Sequence, residues 1–167
     1  VVTYNLNRII DVNFYPTEKT KRSNIRHRPI GIGVQGLADV FMRMDLPFSS
    51  DESKQINRNI FETIYHAALE QSCEIAEERY TLLQPLADGD NFSESMSIDE
   101  DFELRRHMNK DEEPLLHTKY RGAYSSFAGS PASRGELQFD LWGVQPSDRY
   151  DWTALKSRIR AHGIRNS

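Results

Sequence analysis

The sequence predicts an α/β fold class, mainly helical, in a chain that reads as a piece of a larger α/β protein. Three observations predict it. Two adjacent apolar rows at i, i+4 spacing run along residues 51–78. A short glycine-rich apolar run covers residues 29–34. An acidic stretch without any period separates the two ends of the chain over residues 80–118. The length of 167 residues fits one domain or part of one, and a mean hydropathy of −0.66 is polar for a self-contained globule.

Residues 1–15 read as the end of a helix, with Leu6, Ile9 and Ile10 at helical spacing and Pro16 limiting its extension. Residues 16–28 read as a polar, basic loop carrying Lys19, Lys21, Arg22, Arg26, His27 and Arg28. A solvated loop explains these charges better than a phosphate site. Pro29 through Val34 is expected to form a short strand. The helix after Gly36 follows from Leu37, Val40, Phe41 and Met44 at i, i+3, i+4, i+7.

The next helix has the strongest signature. Ser49 with Glu52 spells a capping box, Ile56, Ile60, Ile64 and Ala68 make one row, and Phe61, Tyr65, Leu69 and Cys73 make the row beside it. Two neighbouring rows form a broad apolar face, so this helix is expected to pack on something substantial through about residue 78. Residues 80–118 carry ten acids and three bases, for a net −7, against +3 in the remainder of a chain whose total is −4. The stretch reads as a disordered insertion. Residues 119–150 are turn-rich, with Leu137, Phe139, Leu141 and Trp142 as expected anchors on a core. A last helix starts near Asp151, with Trp152, Leu155 and Ile159 as its buried row and Gly163 as its stop. The predicted organisation is therefore residues 1–79 (helix, strand 29–34, helices 36–45 and 50–78), the acidic insertion 80–118, and residues 119–167 as a loop and C-terminal helix of the same unit.

Gly31-Ile32-Gly33-Val34-Gln35-Gly36 spells G-x-G-x-x-G, and Asp51 follows Gly31 by 20 positions, as in a dinucleotide fingerprint. The context argues against that chemistry. A buried parallel strand should run into the first glycine, but Asn24 to Pro29 is polar and ends in proline. No second strand follows, and Asp51 falls in the first turn of a helix, where the dipole explains an acid. Glycines that let a short strand approach other backbone are the plainer explanation.

Other chemistry is thin. The single cysteine, Cys73, excludes an internal disulfide and a cysteine-based zinc site, and its place in an apolar row marks a structural thiol. Ser130 lacks a G-x-S-x-G frame. His27, His66, His107, His117 and His162 are scattered without an H-x-x-x-H pair. Asp99-Glu100-Asp101 lacks the spaced ligands of a calcium loop. Tyr65 and Tyr124 are more simply core aromatics than redox groups. No apolar run reaches the length of a membrane span. The first methionine is Met42 and no leader pattern opens the chain, as expected of an internal fragment.

Several stretches together resemble the large subunit of class I ribonucleotide reductase, in its eukaryotic or eukaryotic-virus form. They are Asn5-Leu6-Asn7-Arg8-Ile9-Ile10-Asp11-Val12-Asn13-Phe14-Tyr15-Pro16, Arg26-His27-Arg28-Pro29-Ile30 running through Gly31–Gly36 to Leu37-Ala38-Asp39, Asn59 to Tyr65, Gly129-Ser130-Pro131, and Asp151-Trp152 with Leu155 and Gly163-Ile164-Arg165-Asn166-Ser167. The resemblance implies a mainly helical fragment of a ten-stranded α/β barrel, contributing one short strand and its surrounding helices. It further implies an enzyme that reduces ribonucleoside diphosphates to deoxyribonucleoside diphosphates by thiyl-radical chemistry. A small subunit supplies the radical, ATP and dNTP effectors regulate, a dithiol reduces, and a second large subunit is a partner. A nucleoside diphosphate is the substrate, nucleic acid and membrane are not partners, and the location is cytoplasmic.

By the same resemblance the active-site cysteine, asparagine and glutamate lie upstream of Val1, and the substrate-phosphate loop begins after Ser167. No catalytic, cofactor-binding or metal residue is therefore expected within residues 1–167, and Cys73 matches a helical position. The fragment alone is expected to be inactive and marginally folded. The acidic stretch is either a lineage-specific insertion or retained intron translation. Two other functional readings remain open at this point: a non-catalytic helical interaction module, and a dinucleotide oxidoreductase.

Overall fold

The computed structural model describes residues 1–87 and 115–167. The elements are α1 (Val2–Val12), α2 (Glu18–His27), α3 (Leu37–Arg43), α4 (Asp51–Leu82), α5 (Gln84–Ala87), a 3-10 turn (Ala132–Arg134), α6 (Gln138–Leu141) and α7 (Trp152–His162). α4 is the spine, packed by α7 on one side and by α1 on another. The core lies between α4, α7 and the loop before it. Leu69 and Cys73 meet Ala123, Phe127, Leu137, Trp152, Leu155, Ile159 and Ile164.

α4 starts one residue later than the sequence suggests. Ser50, not Ser49, is the N-cap, accepting from the Ser53 amide at 3.1 Å while the Ser53 hydroxyl donates to the Pro47 carbonyl at 2.8 Å. The helix then runs to Leu82, past the expected end at 78. Its apolar face is unevenly covered. Leu69, Cys73, Ile75 and Ala76 are buried, but Ile56, Ile60, Ile64 and Tyr65 are half-buried and Phe61 is exposed.

Three expectations fail for physical reasons. Residues 29–34 form no strand, and no strand occurs among the described residues, because nothing there pairs with their backbone. The run carries no helix, turn or bend. Residues 18–27 are not loop but helix α2, set by a capping box in which Thr17 accepts from the Thr20 amide and Thr20 accepts from the Thr17 amide. The helix expected at 1–15 is α1, whose inward row is Thr3, Asn7 and Ile10, with Leu6 half-buried and Ile9 exposed. Leu141 and Trp142 do not anchor the loop: they are 55% and 71% exposed at the rim of a hollow.

The acidic stretch 80–118 overlaps the described residues at both its ends. Residues 80–87 belong to α4 and α5 or the turn between them, and 115–118 to a short turn. The rest, including Asp99-Glu100-Asp101 and His107, lies outside the described residues.

Two glycines fix the close packing. A Cβ on Gly122 would lie 1.9 Å from the Ala76 carbonyl oxygen, so the 120–124 loop rests directly on the backbone of α4. Gly163 ends α7 at φ +82, and a Cβ there would come within 2.6 Å of the Ala123 methyl.

Candidate functional site

Two features stand out: an open apolar hollow and a buried polar clamp beneath it. The hollow, about 700 Å³, is floored by the half-covered face of α4 through Phe61, Ile64, Tyr65 and Ala68. Ile30 and Ile32 form one wall, Leu137, Phe139, Leu141, Trp142 and Val144 another, and Asn166 and Ser167 close one end. Its rim holds the large exposed side chains Phe61, Leu141, Trp142 and Val144.

The second wall is held on α4 by Glu62. Its carboxylate accepts from the Ser147 amide and hydroxyl, both at 2.8 Å, and from the Trp152 indole at 3.1 Å. Partial burial pushes the Glu62 carboxyl up, but these bonds and the Arg149 charge outweigh it, so it sits below the usual range. Beside it Tyr65 accepts from the Gln138 amide at 3.1 Å, and burial pushes its phenol up. His66 stacks on Tyr150 at 4.4 Å and meets Trp152 edge-on at 5.0 Å.

The clamp centres on Arg28. Its guanidinium makes a bidentate pair with Asp11 at 2.8 and 2.9 Å, and donates to the Asn7 side-chain oxygen at 2.9 Å and the Asn7 carbonyl at 2.6 Å. Asn166 donates to the Asn7 side chain at 3.1 Å and the Arg28 carbonyl at 3.2 Å, and its amide donates to the Ser72 hydroxyl at 2.9 Å. Arg28 is 2% exposed and takes the left-handed conformation at φ 49. One residue thus joins α1, the end of α2 and the last residues of the chain, and places Ile30 and Asn166 at the hollow.

The hollow presents mainly apolar side chains, and the polar groups of the clamp are bonded to one another. Cys73 is fully buried, and burial, with Glu77 next, pushes its thiol up to about 12. Ser130 is used locally, accepting from the Ser133 amide at 3.2 Å. His27 pairs with Ser126 at 2.7 Å, and His162 lies 3.9 Å from Glu77. Asp51 is exposed and pairs with Lys54 at 2.9 Å. The G-x-G-x-x-G residues do not make a phosphate cradle: α3 spans seven residues, and only Gly36 caps it. Composition places Arg28 in a solvated basic stretch, but its role in the clamp has no signal in a single sequence, because its partners lie 17 to 138 positions away.

A family model described as the ribonucleotide reductase barrel domain matches residues 1–167. The chain belongs to that family. It is 47% identical over its full length to the ribonucleoside-diphosphate reductase large subunit of Caenorhabditis elegans, covering 16% of that protein. It is 47% identical to the large chain of Schizosaccharomyces pombe, covering 15%. With the Variola virus large subunit it shares 42%, covering 16%. The chain therefore spans less than a fifth of the length of the curated relatives it matches. Membership in a reductase barrel family also removes the dinucleotide oxidoreductase reading of Gly31–Gly36.

Proposed function

We propose that this chain is a barrel segment of a ribonucleotide reductase large subunit. In the intact subunit it would contribute the run at 29–34 to a ten-stranded α/β barrel. The whole enzyme reduces ribonucleoside diphosphates to deoxyribonucleoside diphosphates by thiyl-radical chemistry, with a small subunit as radical source, a second large subunit as partner, ATP and dNTP as effectors, and a dithiol as reductant. The observation that carries this is the match over all 167 residues to a family of that description, at 42–47% identity to proteins named for that reaction. The half-covered face of α4 supports the same reading, since a broad apolar face is stable only when covered.

Within this reading residues 1–167 hold no catalytic, cofactor or metal residue, residues 80–118 are an acidic insertion, and the enzyme works in the cytoplasm. The segment's own work is architectural: it seats apolar side chains in the hollow and fixes the path of the polypeptide at Ile30 and Asn166. A chimera tests it. Residues 1–167 replace the matching segment of the Schizosaccharomyces pombe large chain, and CDP reduction is assayed with small subunit and dithiol. The chimera is expected to reduce CDP and the isolated 167-residue chain to give no turnover. Turnover by the isolated chain, or a folded chimera that binds small subunit yet is dead, would overturn the proposal.

A further inference from the structure

The chain on either side of 88–114 leads into one buried junction, and its centre is Arg121, 7% exposed. The Arg121 Nε donates to the Tyr80 carbonyl at 2.9 Å and Nη1 to the Leu116 carbonyl at 3.4 Å, while Nη2 donates to the Gln84 side-chain oxygen. The guanidinium also lies 3.7 Å from the centre of the Tyr80 ring. The Tyr80 carbonyl belongs to the last turn of α4, where helical carbonyls lack a backbone partner and a cation suits the dipole. Tyr80 and Gln84 precede 88–114 and Leu116 follows it, so one planar fork grips both flanks. Gly122 permits this: without a Cβ it rests on the Ala76 carbonyl and the Tyr80 amide, which brings its neighbour to the end of α4. Leu83 on one flank and Leu116 on the other are buried as well. The charge of the acidic stretch lies outside the junction. All ten of its acids fall between Asp88 and Glu113, and the acceptors of Arg121 among the described residues are two carbonyls and one amide.

We infer that Arg121 is a fastener joining the two flanks, so that neither folding nor turnover depends on what lies between Ala87 and Leu115. The inference goes beyond the barrel-segment reading, and only its activity measurement rests on that reading. Two points carry it. The three acceptors lie within hydrogen-bond reach of a single guanidinium, so the flanks meet through groups that all lie outside 88–114. A linker of about six residues, spanning up to roughly 20 Å, can then connect them. Chain length also enters weakly into bringing two ends together, by about threefold for each doubling. Going from the length of 88–114 to about six residues is roughly two doublings, which favours the joined state by about tenfold.

The test uses the intact large subunit carrying this chain. Replacing 88–114 by a short Gly-Ser linker should leave Tm within about 3 °C of the parent and CDP reduction within about twofold. Hydrogen exchange at 80–87 and 115–121 should be unchanged or slower. A larger fall in Tm, or faster exchange at either flank, overturns the inference. Arg121→Lys keeps the charge and loses the fork. It should speed exchange on both flanks together, by about tenfold or more; an effect on one flank alone, or on neither, overturns the fastening. If Arg121→Lys fails to fold, the linker variant decides. Activity separates the two readings. A parent without reductase activity, matched by the linker variant in Tm and exchange, sinks the functional reading and leaves the fastener standing. A parent that reduces CDP beside a folded linker variant that does not sinks this inference alone.

Discussion

Asp11→Ala should open the clamp. Arg28 is 2% exposed and spends four of its five N–H donors on this cluster, two bonds going to Asp11 at 2.8 and 2.9 Å and two to Asn7. Removing the carboxylate leaves a buried guanidinium with its two Asn7 bonds and no counter-charge. Breaking a buried pair from one side costs about 3–5 kcal/mol. The Asp11 side chain is 23% exposed, so water can enter the vacated space, which places the cost near the lower end, at about 3 kcal/mol. At 1.4 kcal/mol per decade this is roughly a 100-fold change in a local opening equilibrium. The assay is hydrogen exchange by mass spectrometry on the intact large subunit, read in peptides covering the last turns of α1 and α2, with the exposed Asp148→Ala as control. A double-mutant cycle isolates the pair: Asp11→Ala combined with Arg28→Met should cost clearly less than the sum of the two, because no charge is then stranded. Exchange in Asp11→Ala within threefold of the control, or strict additivity in the cycle, would refute the reasoning.

Three further outcomes follow from the same geometry. Gly122→Ala should cost about 3 kcal/mol or more, since its Cβ would sit 1.9 Å from a backbone oxygen that cannot move without bending α4; wild-type soluble yield and protease resistance would contradict this. Cys73, fully buried with its thiol pushed up to about 12, should ignore a thiol reagent at pH 8 until urea is added, and rapid stoichiometric labelling of the native protein would show otherwise. Glu62, Glu77 and Asp140 are each pushed up by partial burial and then held below the usual carboxylate range, respectively by Ser147 and Trp152, by Arg158, and by Lys156 with the Leu137 amide. Because the folded values are depressed, their stabilisation is complete above the unfolded range near pH ~4 and lost as pH falls through the folded values. Tm should therefore hold from pH 7 to 5 and drop below about pH 4, with a shallower acid drop in Glu62→Gln; an identical slope in that variant would remove Glu62 from the account.

What could be read from the sequence was what repeats along it. α4 and α7 announce themselves because their inward residues recur at the helical period, and Trp152, Leu155 and Ile159 are buried as that period requires. α2 escaped because it has no apolar stripe at all; its only local signal is the Thr17–Thr20 cap, which lacks the Glu or Gln usual in such a box. The exposure of Phe61 could not be read either. An apolar row says that something covers it, but not whether the cover belongs to the same 167 residues. The clamp was illegible for another reason. Buried charge carries no periodicity, and Arg28 next to Lys19, Lys21 and Arg22 has the composition of a solvated surface.

The three glycines of G-x-G-x-x-G show how one pattern can conceal separate causes. Gly36 is required by its own φ of +78 at the start of α3. Neither Gly31 nor Gly33 takes a positive φ, among the described residues nothing lies within 4 Å of a Cβ built there, and Ile32 between them lines the hollow. The clamp sets this run in place from one end: Arg28 is gripped by Asn7 and Asp11, and its carbonyl is held by Asn166. Pro29 follows at once with its φ fixed by the ring, so the direction of the run is set at its start by buried hydrogen bonds. A segment whose entry is held in this way loses little further backbone freedom when the amides beyond it are bonded. The clamp therefore governs the run beyond it, and Asp11→Ala should speed exchange at 30–35 as well as at the ends of α1 and α2.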